Sequence, residues 1–288
     1  MTDASQIAEL QPWKQPWWRP ARGDGATFVW ILLIHAGAIA ALVLAPLPGW
    51  PVFLAALSLH FLGGLGTTIG YHRSIAHKSV KLHPVVRGVL IFFAMFNGSG
   101  SPLSWAAYHR LHHAKSDTPE DISSPRVGGF WWSHLRWLWQ AGGPPIRRYC
   151  RDIDTPGYRL WTRIQIPILL LSFFLGAPFG LAAFLWIGPL RLAMALHAQC
   201  FVNSVCHLRP DARPGEPTAR NVAWLSVLHA FQGENWHQNH HDRPGSARLG
   251  WTPGQLDVGW YVILLLERLG LAWDVRRPNL DHEVDAAA

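Results

Sequence analysis

Residues 52–77 read VFLAALSLHFLGGLGTTIGYHRSIAH, a run with no Asp, Glu, Lys or Arg as far as Tyr71 that passes directly into His72 and His77. At a rise of about 1.5 Å per residue, the uncharged part reaches roughly 30 Å, the thickness of a bilayer core. The stretch therefore predicts a membrane helix with candidate metal ligands at one end. A second run of this kind, FVWILLIHAGAIAALVLAPL, fills 28–47, and a longer one covers 164–206 with Arg191 as its only Asp, Glu, Lys or Arg. The longer run suits a helical hairpin broken near Gly176-Ala177-Pro178. Core helices of a soluble protein are the competing explanation, but uncharged runs this long are uncommon there.

The expected fold is an all-α integral membrane protein of four transmembrane helices with a cytoplasmic helical cap. Its parts are a cytoplasmic N-terminal segment (1–27), a first transmembrane hairpin (28–71), a cytoplasmic or interfacial region (72–163), a second hairpin (164–206) and a cytoplasmic C-terminal region (207–288). Within 86–105, the series Asn97-Gly98-Ser99-Gly100-Ser101-Pro102 interrupts the apolar pattern, so a re-entrant or interfacial helix is expected there rather than a fifth span. No acidic residue lies between Asp24 and Asp117 or between Asp154 and Asp211, and the connections at 48–51 and 176–180 carry no Lys or Arg. The basic residues thus place both termini and the central segment in the cytoplasm. Trp13, Trp17, Trp18 and Trp50 suit the interfaces.

The net charge of +7 is read as a topology signal, and no motif supports nucleic-acid binding. The N-terminus lacks the pattern of a cleavable signal peptide. Three cysteines, Cys150, Cys200 and Cys206, form no Cys-x-x-Cys site, which argues against iron–sulfur and structural zinc readings. Arg outnumbers Lys 21 to 4, a bias that accords with a GC-rich bacterium and an inner-membrane home.

The chemistry is in the histidines, 16 in all. Nine fall into four clusters at cytoplasmic span ends or in the cap: His72 and His77; His109, His112 and His113 in HRLHH; His207; and His237, His240 and His241 in HQNHH. Residues at i, i+3 and i+4 share a helix face, so each HxxHH cluster presents three imidazoles toward one point. Asn203 and His207 are likewise four apart. His72 and His77, five apart, converge only if the helix ends or distorts. Imidazole suits iron, copper, zinc or nickel, and nine rings exceed the needs of one ion, which points to two ions in one centre. The predicted spans contain no carboxylate to bridge metals in the manner of soluble di-iron bundles.

At HRSIAH, HRLHHAKSDTPEDISSPRVGGFWWSH, LRLAMALHAQCFVNSVCH and GENWHQNHHDRPGSARLGW, in that order, residues 50–277 resemble the membrane fatty acyl desaturases, nearest their stearoyl-type, delta-9 branch. The resemblance implies two iron ions as cofactors, bound by His72, His77, His109, His112, His113, His207, His237, His240 and His241, with Asn203 reaching the centre through water. It implies dioxygen as co-substrate, a tunnel for a bent acyl chain, and removal of hydrogen from two neighbouring methylenes to leave a cis double bond. The acyl carrier stays open among coenzyme A, a lipid and a carrier protein, because Ala107-Tyr108 stands where animal acyl-CoA enzymes have Arg-Asp. No ferredoxin-like or haem-binding segment fits after His241, so electrons are expected from a separate donor such as ferredoxin or a b-type cytochrome with its reductase.

Outside the boxes, His35, His60, His83, His134, His197, His229 and His282 are read as packing or hydrogen-bonding groups, and Arg191 as a cation snorkelling toward the far interface. Asp117, Glu120 and Asp121 are read either as hydrogen-bond partners of ligand imidazoles or as a solvated acidic loop, and Glu234 and Trp236 are weaker candidates for the same supporting role. Trp131 and Trp132 either line the tunnel mouth or anchor the cap, and the tail after 270 reads as a frayed end. A fatty acyl hydroxylase shares all these features and is separated only by its product. A histidine-lined metal transporter is disfavoured because the clusters avoid mid-membrane.

Overall fold

The computed structural model describes residues 11–143, 145–213 and 216–279. His282 and the terminal Asp285-Ala286-Ala287-Ala288 lie outside the described residues. The protein is mostly helical, its described strands being two short segments.

Helix α1 (Gly25–Leu44) is apolar on all sides, and most of its Leu, Ile and Val side chains face outward. Pro46, Pro48 and Gly49, the last at φ +81°, turn the chain into α2 (Trp50–Ala76). Its first part, Trp50–Leu65, is α-helical, and Gly66–Ala76 is π-helical. Helix α3 (Pro84–Phe96) crosses α2 at backbone distance. A Cβ on Gly66 would lie 2.4 Å from the Ala94 nitrogen, so only glycine permits the crossing. At 13 residues α3 reaches about 20 Å, too short for a bilayer core, and it ends at Asn97 as the glycine-serine series turns back. Ser101 caps α4 (Pro102–Lys115) by accepting from the Ser104 N–H at 3.2 Å.

Helices α5 (Pro156–Arg163) and α6 (Gln165–Phe174) meet at a bend of 41°. The chain then reverses at Gly176-Ala177-Pro178, where the hairpin break is expected, and enters α7 (Leu181–Cys206). Gly176 is required at this turn, because a Cβ there would meet the Ala183 carbonyl at 2.1 Å. Helices α1, α2 and α7 are long and apolar enough to cross a membrane, and α5–α6 is a fourth candidate if the bent pair is one span. With their apolar side chains facing outward, these helices make the chain a membrane protein.

Arg191 corrects its expectation. It is 1% exposed and does not snorkel. Its guanidinium donates to Asn97 Oδ1 at 3.1 Å, to the Ile187 carbonyl at 2.7 Å and to Ser172 Oγ, and it lies over the Phe96 ring at 5.0 Å. Polar groups on α3 and α6 solvate the charge inside the protein. Three histidines read as packing or hydrogen-bonding groups do bond to one another: His197 lies 3.0 Å from His35 and 2.9 Å from His134, joining α7 to α1 and to the segment between α4 and α5.

Between α4 and α5, Trp132 is buried and donates to the Ile122 carbonyl, whereas Trp131 is exposed. The segment before α1 lies along this region, with Gln140 donating to the Pro16 and Arg19 carbonyls. Helices α8 (His237–Asp242) and α9 (Val258–Arg268) complete the C-terminal part. The tail is tied down as far as Arg276 rather than frayed: strand β1 (Lys81–Leu82) pairs antiparallel with β2 (Ala272–Trp273), and the Arg276 N–H donates to the Ser79 carbonyl.

Arg73, 1% exposed, binds Asp257 at 2.9 and 3.2 Å and also donates to the Gln232 and Ala247 carbonyls. This buried pair joins the end of α2 to the last histidine box and α9. Asp257→Ala strands a buried guanidinium and is expected to cost about 3–5 kcal/mol, measured as a fall in thermal unfolding temperature in detergent.

Candidate metal centre

The π-helical end of α2 brings its two histidines together. The His77 N–H donates to the His72 carbonyl, five residues back, at 3.1 Å. That bond stacks residues that an α-helix would hold about 140° apart around its axis. The two rings accordingly lie 5.1 Å apart.

The other clusters divide. One group is His72, His77, His109 and His240, and the second is His112, His207, His237 and His241; in each, one ligand nitrogen per ring lies within 4.8 Å of all the others. HRLHH thus sends His109 to the first group and His112 to the second, while HQNHH sends His240 to the first and His237 and His241 to the second. This corrects the expectation that each HxxHH cluster converges on one point. Positions i, i+3 and i+4 fan over about 100° of a helix, wide enough to straddle two centres. His113 sits at their junction, its Nε2 2.8 Å from His240 Nε2 and its ring 4.6 Å from that of His241. Asn203 is half-buried on α7 in the wall of a cavity described below.

The rings meet through Nε2, at 2.6 Å for His77–His109, 3.0 Å for His72–His240, 2.9 Å for His207–His237 and 3.1 Å for His237–His241. On the opposite side of three rings, Nδ1 is engaged. His72 Nδ1 donates to Glu234 at 2.9 Å, His112 Nδ1 to Asp121 at 2.9 Å, and His207 Nδ1 to Thr218 Oγ1 at 2.9 Å, with Thr218 donating onward to Asp117 at 2.5 Å. With the proton fixed on Nδ1, those Nε2 atoms are lone pairs aimed inward. Each such lone pair needs a partner's N–H or a cation opposite it, and a metal ion among the rings satisfies all of them together. Imidazole–metal bonds of about 2.0–2.1 Å at right angles put ligand nitrogens at about this spacing. The residues fit a pair of metal ions held by neutral nitrogen donors.

Electrostatics agree. Burial, reinforced by neighbouring rings, pushes the imidazole of His77 down to about 2 and that of His207 to about 3, and holds His109, His237, His240 and His241 well below the ordinary range. These rings stay neutral and available to a metal. Burial also lowers His112, but the Asp121 carboxylate outweighs it and raises the ring, making it a stronger donor. Burial raises the Glu234 carboxyl, yet His72 and Arg73 together hold it at about 2, so it stays ionised against its ligand.

Of the candidate supporting groups, Asp121 and Glu234 touch ligand rings and Asp117 acts through Thr218. Glu120 pairs with Lys115 instead, and the Trp236 indole donates to the Leu256 carbonyl. Thr218 escapes sequence reading because it lies 101 positions from Asp117 and in no motif.

A cavity of about 830 Å³, within the range of small-molecule sites, runs from the centre into the helices. His109, His112 and His237 form part of its wall at one end, and Ile34, Leu192 and Leu196 line it among the apolar helices. Ala107 is fully buried in the core beside Cys150, and the Tyr108 hydroxyl donates to the Gly142 carbonyl at 2.6 Å. Neither supplies a charge to a substrate head group.

A helical membrane chain with two sets of four inward imidazoles beside a largely apolar cavity has the make-up of a histidine-rich metal-binding protein. The family model for fatty acid desaturase matches residues 48–261. Delta-9 acyl-lipid desaturase 1 of Arabidopsis thaliana is 37% identical over 237 residues, 80% of this chain and 77% of that protein. The sn-2 palmitoyl-lipid 9-desaturase of Nostoc sp. (strain 36) is 33% identical over 273 residues, 88% of this chain and 92% of that protein. Acyl-CoA 5-desaturase AL21 of Anemone leveillei is 35% identical over 248 residues, 81% of this chain and 74% of that protein. The chain belongs to the fatty acid desaturase family and is an oxidoreductase.

Loss of a group behind a ligand typically weakens metal binding about 10–100-fold. Asp121→Asn and Thr218→Val are each expected to do so, and Glu120→Gln to have no effect, in measurements of metal retained against graded chelator.

Proposed function

We propose that each four-histidine group binds one iron ion, and that this non-haem di-iron centre introduces a cis double bond at the delta-9 position of a saturated fatty acyl chain. His72, His77, His109 and His240 would hold one iron, and His112, His207, His237 and His241 the other. His113 serves at the junction and Asn203 acts through water. The observation that carries the reading is the division of eight imidazoles, five buried and three half-buried, into two sets of four, against one wall of an acyl-sized cavity.

When bound, iron supplies activation of dioxygen, which takes two hydrogens from the chain and, with two electrons and two protons, leaves as two waters. The protein's share is position and exclusion. Trp105 lines the cavity and stacks on His109, with ring centroids 4.7 Å apart, so it closes an apolar surface over the reacting methylenes. Glu234, Asp121 and the Thr218–Asp117 pair hold their rings against rotation. The apolar part of the wall would exclude water from the bound chain.

In this reading the bent pair α5–α6 counts as one span, which makes four spans with both termini and the helical cap in the cytoplasm of a bacterial inner membrane. The distribution of Lys and Arg supports that orientation. Electrons would come from a separate ferredoxin or b-type cytochrome with its reductase.

The test is fatty-acid profiling by mass spectrometry, with double-bond location, of cells expressing the chain or its His240→Ala variant. A new delta-9 monounsaturated acid made only by the unmutated chain is expected. Hydroxylated acids would turn the assignment to a hydroxylase. No product with iron bound and a competent donor present would overturn it.

A further inference from the structure

Outside the paired histidine groups, a line of five contacts runs between two backbone carbonyls. His35 Nδ1 lies 2.7 Å from the Ile31 carbonyl, and His35 Nε2 lies 3.0 Å from His197 Nε2. His197 Nδ1 lies 2.9 Å from His134 Nε2, His134 Nδ1 lies 2.9 Å from Ser204 Oγ, and Ser204 donates to the Cys200 carbonyl at 2.9 Å. A carbonyl only accepts, and a neutral imidazole or a hydroxyl has one proton to give. From the Ile31 end, the His35 proton is committed to Nδ1 and its Nε2 is bare. From the Cys200 end, Ser204 gives its proton to the carbonyl and so accepts from His134, which in turn accepts from His197. His197 Nε2 is then bare as well. Four protons serve five contacts, and the deficit falls where two lone pairs face each other across 3.0 Å.

That gap is also the one beside a cavity. A space of about 370 Å³ between α1 and α7 has His35 and His197 in its wall, and His60, Ala198 and Leu228 part it from the cavity at the metal centre. Met194 belongs to the same wall, three residues before His197 and hence on the same face of α7. Behind each ring, the Nδ1 contact aims Nε2 forward, as the bonds behind His72, His112 and His207 do.

We propose that His35, His197 and Met194 form a further metal site, for one copper(I) ion, which ties α1 to α7 inside the membrane-spanning part of the protein. Charge and softness select the ion. The wall contains no Asp or Glu among the described residues. Without a counter-ion, the cost of burying a cation rises with the square of its charge, which favours a monovalent one. Imidazole suits copper, and a thioether selects its monovalent state.

The test is anaerobic titration of the full chain with copper(I) against a chromophoric chelator, in detergent and with the paired histidine groups already metal-loaded. The unmutated chain is expected to bind one copper(I) more than the His35→Gln variant, whose amide still hydrogen-bonds but is a poor ligand for this ion. X-ray absorption at the copper edge should show a sulfur beside two nitrogens, and Met194→Leu should lose the sulfur. Metal retained by the paired groups shows that each variant is folded. The site is overturned if the unmutated chain takes up no copper(I), which would leave a proton in the gap. It is overturned equally if His35→Gln takes up as much, or if the sulfur persists in Met194→Leu and so belongs to a cysteine. The count is a difference at one site, so it stands apart from the identity of the metal in the paired groups and from any fatty-acid product.

Discussion

Imidazole nitrogens that face one another at about 3 Å are the condition to which much of this fold answers. So many inward nitrogens need protons or cations between them, and their burial leaves little water to help. The cluster persists only if rigid elements hold each ring from behind. The Nδ1 bonds to Glu234, Asp121 and Thr218 hold three rings directly. The buried Arg73–Asp257 pair acts one layer further out, fastening the loop that carries Gln232 and leads into His237 to the end of α2. Even the C-terminal strand contributes, since its pairing with Lys81–Leu82 fixes the segment just after His77.

How much of this can be read from the chain depends on the range of the interaction. The spans are legible because a bilayer demands long uncharged runs, and the reversal at Gly176-Ala177-Pro178 is legible because those residues stop a helix. The histidines are legible because their spacing repeats. Their division between two groups is not, because a fan of three rings serves one centre or two according to where the partner helices lie. The Arg73–Asp257 pair joins residues 184 positions apart and belongs to no pattern. The tail misleads for a similar reason: two residues in a strand leave almost no trace in sequence, yet their partner lies near the centre.

Arg191 shows the same limit from another side. Read alone, a cation in an apolar run points toward water. Folded, it finds Ser172, a backbone carbonyl and Asn97, the last within reach because α3 stops short and turns back. The short helix that interrupts the series of spans and the arginine that interrupts an apolar helix are thus parts of one polar knot.

The π-helical stretch of α2 sets the phase between its two ends. Before it, the helix presents Leu54, Leu57 and Leu62 outward and His60 inward; within it and at its end, His72 and His77 point at the centre. Straightening Gly66–Ala76 into an ordinary α-helix with no residue removed would rotate one end against the other by about 100°. The histidines would then turn away from their partners, or the outward leucines would turn into the bundle. The widened turn acts as a gear tooth, meshing the lipid-facing side of the span with its chemical side so that neither can be re-indexed alone.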